Sequence, residues 1–385
     1  MTEPAPWRPL AGQHHAARAL LTGTMASTPS KPRIVMIGTS PLNRGGISTV
    51  VQSYIAAGFL ERWNVRYLTT HTEGSKFRKA WFMLRGLASF AIVLARPPSF
   101  VHIHLATRAS FWRKLAFIAL SSARRIPIVL HVHGGHFGGY YNEGSRLRRA
   151  LIRWALAQAK TLIALTPSWG RMFLDIAPGA TVVVIPNPVD IPVLDGVSQR
   201  EEDSVLFLGR LTHEKGIDVL LDAFEDVARR RPAARLLIGA PGNPHAIDDE
   251  LRRRGIQDHV RMLGWVDGDA KDRLFRTVAV FTLPSRAEGL PVGMLEAMAH
   301  AMPVVVSRIG GVPDALADGV EGLIVPVGDA RALADALCEL LGDPQQQRRM
   351  GAAGRVRAVA EFDRAAVVAR LDALYAGLAA PAPAA

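Results

Sequence analysis

Glu288 and Glu296 stand eight positions apart in Pro-Ser-Arg-Ala-Glu-Gly-Leu-Pro-Val-Gly-Met-Leu-Glu-Ala-Met-Ala-His-Ala-Met-Pro, residues 284–303. The first carboxylate falls in a loop punctuated by Gly289 and Pro291, the second in a run of good helix formers. Proline suits the first turn of a helix, where its missing N–H forfeits nothing. The N–H groups of Gly289 and Leu290 would then meet an anion at the positive end of that helix. Carboxylates flanking such a site only accept hydrogen bonds, which suits them to gripping hydroxyls, as on a sugar and a ribose.

Other residues supply the opposite charge. Arg210 closes the apolar run Ser204–Gly209, and Lys215 lies five residues on, before a helical pattern. Two cations there can neutralise a diphosphate as it departs during bond breaking. Gly45 and Gly46 also precede a helical pattern and would let main chain approach a phosphate. His133 ends the apolar run Ile126–Val132 beside Gly134 and Gly135, which open space next to it. Alternation puts His131 on the same face, and His102 and His104 form a similar pair on the preceding run. No carboxylate or thiol accompanies these histidines and no known ligand spacing appears, so no metal is expected. Asp267-Gly-Asp269 looks like a paired-aspartate metal site, but it precedes a helical pattern and reads as a cap. A Walker loop, G-x-G-x-x-G after a strand, G-x-S-x-G and H-E-x-x-H are all absent.

These residues need a scaffold that brings distant segments together. Arg33–Gly38 reads as a short buried strand, followed by a basic glycine-bearing loop and a helix from Ile47 to Phe59. Ser204–Gly209 starts the same succession again, with a helix over residues 217–229. Apolar runs at 100–105, 126–132, 161–165 and 182–185 alternate with helical patterns in the front half. Runs at 235–238, 260–263, 278–283, 303–306 and 323–325 do so behind. Such alternation predicts an α/β protein of two doubly wound, Rossmann-like domains. Three prolines in Pro186–Pro192 make the connector stiff. Ligands of open α/β sheets sit at the carboxyl ends of the strands, so the two domains should face each other across a cleft.

The 385 residues are 49% hydrophobic and 21% charged, an ordinary globular balance with chain enough for two cores. One cysteine, Cys338, excludes an internal disulfide framework and fits a reducing compartment. Residues 1–190 hold 23 Lys and Arg against 6 Asp and Glu, a net +17, whereas residues 191–385 carry −5. A front half this basic predicts contact with an anionic surface or substrate. No base-stacking aromatic array or recognition motif accompanies the charge, so nucleic acid is not the expected partner. The longest apolar stretch, 80–95, is interrupted by Arg85 and too short to span a bilayer. Residues 1–30 lack the apolar core of a secretory signal and are expected to be a mobile extension. The tail from 377 to 385 is expected to be disordered.

The set Glu288-Gly-Leu-Pro, Glu296-Ala-Met-Ala, Pro303-Val-Val-Val and Gly310-Gly-Val-Pro-Asp314 resembles that of the retaining glycosyltransferases of family 4. The resemblance runs from about Arg33 to Tyr375. It implies the GT-B fold, with an acceptor-side domain over 31–188, a nucleotide-sugar domain over 203–363 and a last helix, 364–376, crossing back to the front. It assigns Glu288 to the donor sugar, Glu296 to the ribose, and Arg210 and Lys215 to the donor pyrophosphate, with Gly289 and Leu290 in the same donor site. Gly45 and Gly46 would face that pyrophosphate from the opposite domain, and His133 would lie near the reacting centre. Ala301 departs from the glycine usual at its position, and Gly239-Ala-Pro-Gly-Asn-Pro244 leaves the base preference open.

The front half, with Ile103–Lys114 and Leu130–Phe137, looks most like bacterial exopolysaccharide and lipopolysaccharide enzymes. These extend lipid-linked saccharides at the inner face of the cytoplasmic membrane. The expected donor is GDP-mannose or a UDP-hexose, with no divalent metal or other cofactor. Arg108, Arg113 and Lys114 would meet a lipid pyrophosphate or headgroups, and the helical stretch 77–96 would lie at the membrane or pack into the core. A monomer is the default expectation. Two other functions fit the same residues: a nucleotide-sugar epimerase or phosphorylase, and a catalytically silent subunit that binds a nucleotide sugar or a partner transferase.

Overall fold

The structure, a computed structural model, describes residues 32–194, 200–243 and 245–380. The extension expected over 1–30 lies outside the described residues. The final helix runs Arg364–Ala379, three residues into the expected tail, and residues 381–385 are not described.

Two parallel six-stranded sheets carry the chain. The front sheet comprises β1 (Ile34–Gly38), β2 (Val65–Thr69), β3 (Phe100–Leu105), β4 (Ile128–Val132), β5 (Thr161–Ala164) and β6 (Val182–Val184), in the order β2-β1-β3-β4-β5-β6. The back sheet comprises β7 (Glu201–Leu208), β8 (Arg235–Gly239), β9 (Val260–Gly264), β10 (Val278–Leu283), β11 (Val304–Ser307) and β12 (Gly322–Val325), in the order β12-β11-β10-β7-β8-β9. β1, β3, β4, β5 and β10 are buried along their whole length, as parallel strands covered by helices on both faces must be. β2 is the strand that the apolar runs did not reveal. It lies at the sheet edge, and Arg66 at its second position is exposed. β7 begins at Glu201, ahead of the expected start of the back domain at 203. The helix expected from Ile47 to Phe59 ends at Ala56, and Gly58, at φ +65, starts a separate turn of helix at Phe59–Arg62.

The connector and the last helix lie together. Val189 N–H donates to Phe362 O at 2.9 Å, and Arg364 N–H donates to Val189 O at 2.9 Å. From there the final helix crosses to the front domain. Its Val367, Val368, Leu371 and Tyr375 are buried with Ile34, Met36, Tyr54, Phe59 and Phe100. Trp63 Nε1 donates to Asp372 Oδ1 at 2.6 Å across the same seam. Tyr375 meets Phe100 edge-on at 4.7 Å and lies 2.7 Å from His102 Nδ1.

That tyrosine caps a ladder of imidazoles. His102 and His104 on β3 face His131 on β4, with His104 and His131 in direct register. The rings stack at 4.7 Å between His102 and His104 and at 5.1 Å between His104 and His131. The nitrogens these three offer lie within 4.8 Å of one another. Burial holds all three, and His133 after them, neutral, with His102 and His133 pulled down to about 3. A histidine whose folded pKa is depressed contributes stability that is complete above its unfolded value, about 6.5, and is lost as pH falls towards the folded value. Urea unfolding should therefore show stability declining from pH 6.5 to pH 4.5. His131→Leu should make the slope shallower by about 1.4 kcal/mol per pH unit, one proton's worth. An unaltered slope would mean that His131 does not titrate in this way.

Candidate active site

The loop that joins β10 to the Val292–Ala299 helix sits at the meeting point of the two domains. Pro291 is the residue capping the helix rather than the first inside it, one position earlier than expected. The N–H groups of Gly289 and Leu290 find no acceptor among the described residues. Their carbonyls are used: Gly311 N–H donates to Gly289 O at 2.7 Å, and Asn187 Nδ2 donates to Leu290 O at 2.7 Å.

Small residues set the approach. A methyl carbon on Gly135 would fall 2.5 Å from the main chain of Glu288, and one on Gly289 would fall 2.8 Å from His133 O. Gly310, at φ +49, is pressed against Glu288 O from the back domain. Gly135 thus serves to admit the facing loop, while a side-chain carbon on Gly134 would strike Thr107 of its own domain; neither opens space beside His133. Asp314 adds a further tie, accepting from Ser168 N–H at 2.8 Å.

Arg286 fixes the other side of the loop. Its guanidinium grips both oxygens of Asp218 at 2.7 Å and donates to His213 O at 2.8 Å. The Arg286 bonds hold the Asp218 carboxyl below its ordinary range. Lys215 ends the His213–Lys215 turn, and Gly216, at φ +70, passes close against Pro284 O before the next helix begins. Lys215 Nζ therefore reaches Glu288 Oε1, which also accepts from Ser285 Oγ at 3.0 Å.

Arg210 reaches the opposite domain. Its Nη2 donates to Arg44 O at 2.8 Å and to Glu73 Oε1 at 2.6 Å. Gly45 follows Arg44 directly and caps the Gly46–Ala56 helix, and a side-chain carbon on Gly45 or Gly46 would meet open space. The Arg44 guanidinium lies over the Trp265 ring at 4.9 Å, a second link between the domains. Glu296 lies one turn into its helix and binds Lys271 Nζ at 2.7 Å. His133 Nε2 is 2.9 Å from His104 Nδ1, so the ladder ends at this site.

The structure thus brings together Glu288, Gly289, Leu290, Lys215 and His133, and sets Arg210 beside Gly45 and Gly46. Sequence reading missed Glu73 and Lys271, and it took Gly135 for open space where the structure packs it against the Glu288 main chain. One signal for Glu73 was available: it is one of only six acids in the basic front half. The acceptor-side cations separate. Arg108 is exposed and caps the Ala109–Ala123 helix, and Arg113 is half-buried. Lys114 is 1% exposed with Nζ on Thr70 Oγ1, which corrects its assignment to membrane headgroups: a buried ammonium cannot touch them. Asp267 occupies the cap position of the Gly268–Thr277 helix, but its carboxylate accepts from Trp265 Nε1 at 2.8 Å and caps nothing.

Two facing parallel-sheet domains with a crossing C-terminal helix define a GT-B fold. The solved structure of sucrose-phosphate synthase from Thermosynechococcus elongatus matches at a TM-score of 0.74 and 21% identity, covering 90% of this chain and 99% of that one. Anabaena HepE in complex with UDP and glucose matches at 0.67 and 18%, covering 90% and 100%. Residues 45–192 match the model described as Glycosyltransferase Family 4, and residues 202–343 the model described as Glycosyl transferases group 1. Together these matches support a family 4 glycosyltransferase. The phosphatidyl-myo-inositol mannosyltransferase of Mycobacterium leprae is 36% identical over 51% of this chain and 54% of its own length. The glycogen synthase of Mycobacterium tuberculosis is 28% identical over 67% and 65%. The chain therefore spans between half and two thirds of the curated relatives it matches.

The glycine contact is open to test. Gly135→Ala should cost about 1–3 kcal/mol by overpacking and lower the thermal midpoint by several degrees. Gly179→Ala, where the added carbon meets open space, should leave the midpoint unchanged. Equal midpoints for the two variants would show that the loop contact carries no strain.

Proposed function

We propose that the chain is a retaining hexosyltransferase that moves a sugar from a nucleotide-diphosphate donor, GDP-mannose or a UDP-hexose, to a lipid-linked saccharide. The single observation that carries this reading is the state of the two cations: each holds a carboxylate, Arg210 that of Glu73 and Lys215 that of Glu288. A diphosphate entering between them would replace one or both as partner. The free N–H groups of Gly289 and Leu290 and the open face at Gly45 and Gly46 offer it further donors. Glu288 and Glu296 then supply acceptors for sugar and ribose hydroxyls, and the UDP-glucose held by Anabaena HepE is a donor of this class.

The chemistry follows from what surrounds the reacting carbon. The bond from the anomeric carbon to the diphosphate oxygen breaks, and the acceptor oxygen bonds to the same face. A diphosphate oxygen takes the acceptor proton, so no protein base is needed and configuration is retained. Arg210 and Lys215 stabilise the charge that grows on the leaving group, which is work a metal ion would otherwise do. Neutral His133 offers a hydrogen bond to the sugar without adding positive charge beside an oxocarbenium-like centre. Arg210→Ala should lower turnover by roughly one to three powers of ten, and EDTA should leave the wild-type rate intact. Activity lost in EDTA and restored by Mn²⁺ would contradict the mechanism, as would an unchanged Arg210→Ala rate.

For the acceptor we place the protein at the inner face of the membrane in exopolysaccharide, capsule or lipopolysaccharide synthesis. None of the described helices is long and apolar enough to cross a bilayer. The Lys76–Leu94 helix buries Gly86, Phe90, Val93 and Leu94 but exposes Phe77 (88%), Trp81 (63%) and Leu84 (63%). Exposed Lys76, Arg78 and Lys79 lie beside those apolar groups, a composition that favours an anionic interface. Vesicles containing phosphatidylglycerol should float the wild type more than pure phosphatidylcholine vesicles do, and Phe77→Ser/Trp81→Ser should remove the difference. Equal flotation of wild type and variant would exclude this helix as the contact.

A further inference from the structure

Lys114 is a cation enclosed by the fold without a counter-charge. It lies in the helix that follows β3, with Nζ on Thr70 Oγ1 at the end of β2, and Thr70 is itself fully buried. Apart from Glu73, the charged or titratable groups nearest this corner are basic: Arg113, Lys79, His71 and His104. Among the described residues, Lys79, Arg113 and Lys114 form no ion pair. Two buried nitrogens beside them, Arg113 Nε and His71 Nδ1, have no hydrogen-bond partner. The one acid whose charge reaches His71 is Glu73, and its carboxylate is held by Arg210. A buried ammonium with no anion is costly unless it sheds its proton or finds a partner. Burial, reinforced by Arg113, pulls Lys114 down to about 7, so it stands ready to do either.

We infer that His71, Arg113 and Lys114, with Lys79 at the rim, form a subsite for the diphosphate ester of the acceptor. The inference rests on the glycosyltransferase reading and deepens it by giving the acceptor's anionic group a place. The corner lies at the carboxyl ends of β1–β3, where ligands of open α/β sheets bind. It is distinct from the Arg210–Lys215 pair on the back domain, and Glu73 stands between the two. Half-exposed Arg113 and His71 would touch the phosphoryl oxygens directly, and Lys114 would lie behind them as a fixed charge. A bound dianion favours charged Lys114, so binding above pH 7 takes up a proton.

The test is calorimetric titration of the full chain at pH 8 with UDP saturating the donor site. The probes are farnesyl diphosphate in detergent, inorganic pyrophosphate and phosphatidylglycerol vesicles. Farnesyl diphosphate should bind, and Lys114→Met and Arg113→Gln should each weaken it at least tenfold while changing UDP affinity less than twofold. The heat of binding should vary with the ionisation enthalpy of the buffer in the wild type and lose that dependence in Lys114→Met. Pyrophosphate binding with the same sensitivity to the variants supports the diphosphate chemistry. Pyrophosphate binding without farnesyl diphosphate binding would make this a free-phosphate site and overturn the proposal. So would farnesyl diphosphate affinity that both variants leave intact, or binding to vesicles alone. Failure of UDP to bind while the Lys114-dependent site remains would sink the donor reading instead.

Discussion

The arrangement depends on one close approach of main chain to main chain. The Glu288–Gly289 segment is pressed between His133–Gly135 of the front domain and Gly310–Gly311 of the back domain, and each contact requires a residue without a side-chain carbon. The approach decides where the charged groups stand. With the loop seated there, Glu288 meets Lys215 from its own domain while His133 looks in from the other. Asn187 and Asp314 tie the same junction on either flank, through Leu290 O and Ser168 N–H. Main-chain and short-side-chain bonds of this kind leave little room for sliding. The carboxyl ends of the two sheets are thereby held facing each other.

Charge is arranged around that junction as a set of exchangeable partners. Arg210 and Glu73 form a pair whose side chains are about half exposed, so its net contribution to stability is small, about 0–1 kcal/mol. A weak pair is a suitable occupant for a ligand site, because a diphosphate offers Arg210 more negative charge at low cost. The front half's positive excess falls in two places with different physics. Along the Lys76–Leu94 helix it is solvated and lies beside exposed aromatic groups. At Lys114 it is enclosed, and there each uncompensated charge weighs far more than it does in water.

How much was legible in the sequence follows from the range of each interaction. The buried parallel strands were legible, and β3 and β10 coincide with their apolar runs, because burial on both faces leaves few polar positions inside a strand. The succession of Glu288, the loop and the helix bearing Glu296 was legible for a similar local reason. β2 was not, since an edge strand with Arg66 facing solvent lacks a continuous apolar run. Glu73 with Arg210 and Lys271 with Glu296 were hidden because the partners are 137 and 25 residues apart and no spacing rule links them. The burial of Lys114 was hidden because a lysine beside Arg113 and Trp112 looks like surface. Only the packed fold places it against Thr70. Ala301 shows a milder conflict: at φ +53 it holds a left-handed turn that glycine would adopt without strain.

The final helix connects the two ends of this account. It crosses from the back domain to place Tyr375 against His102, and from His102 the stacked rings of His104 and His131 lead to His133 at the junction. Four imidazoles this close are compatible only if uncharged, since each imidazolium would repel its neighbours in a medium that screens poorly. Burial enforces that neutrality. His133 is thus held from behind by a neutral stack, which fixes its ring while keeping proton transfer out of its role. In the proposed transfer, that division leaves a positioned hydrogen bond beside the electron-poor carbon and keeps the cations for the leaving group. The crossing helix accordingly does more than close the front core: through the stacked rings it braces His133 at the junction of the two domains.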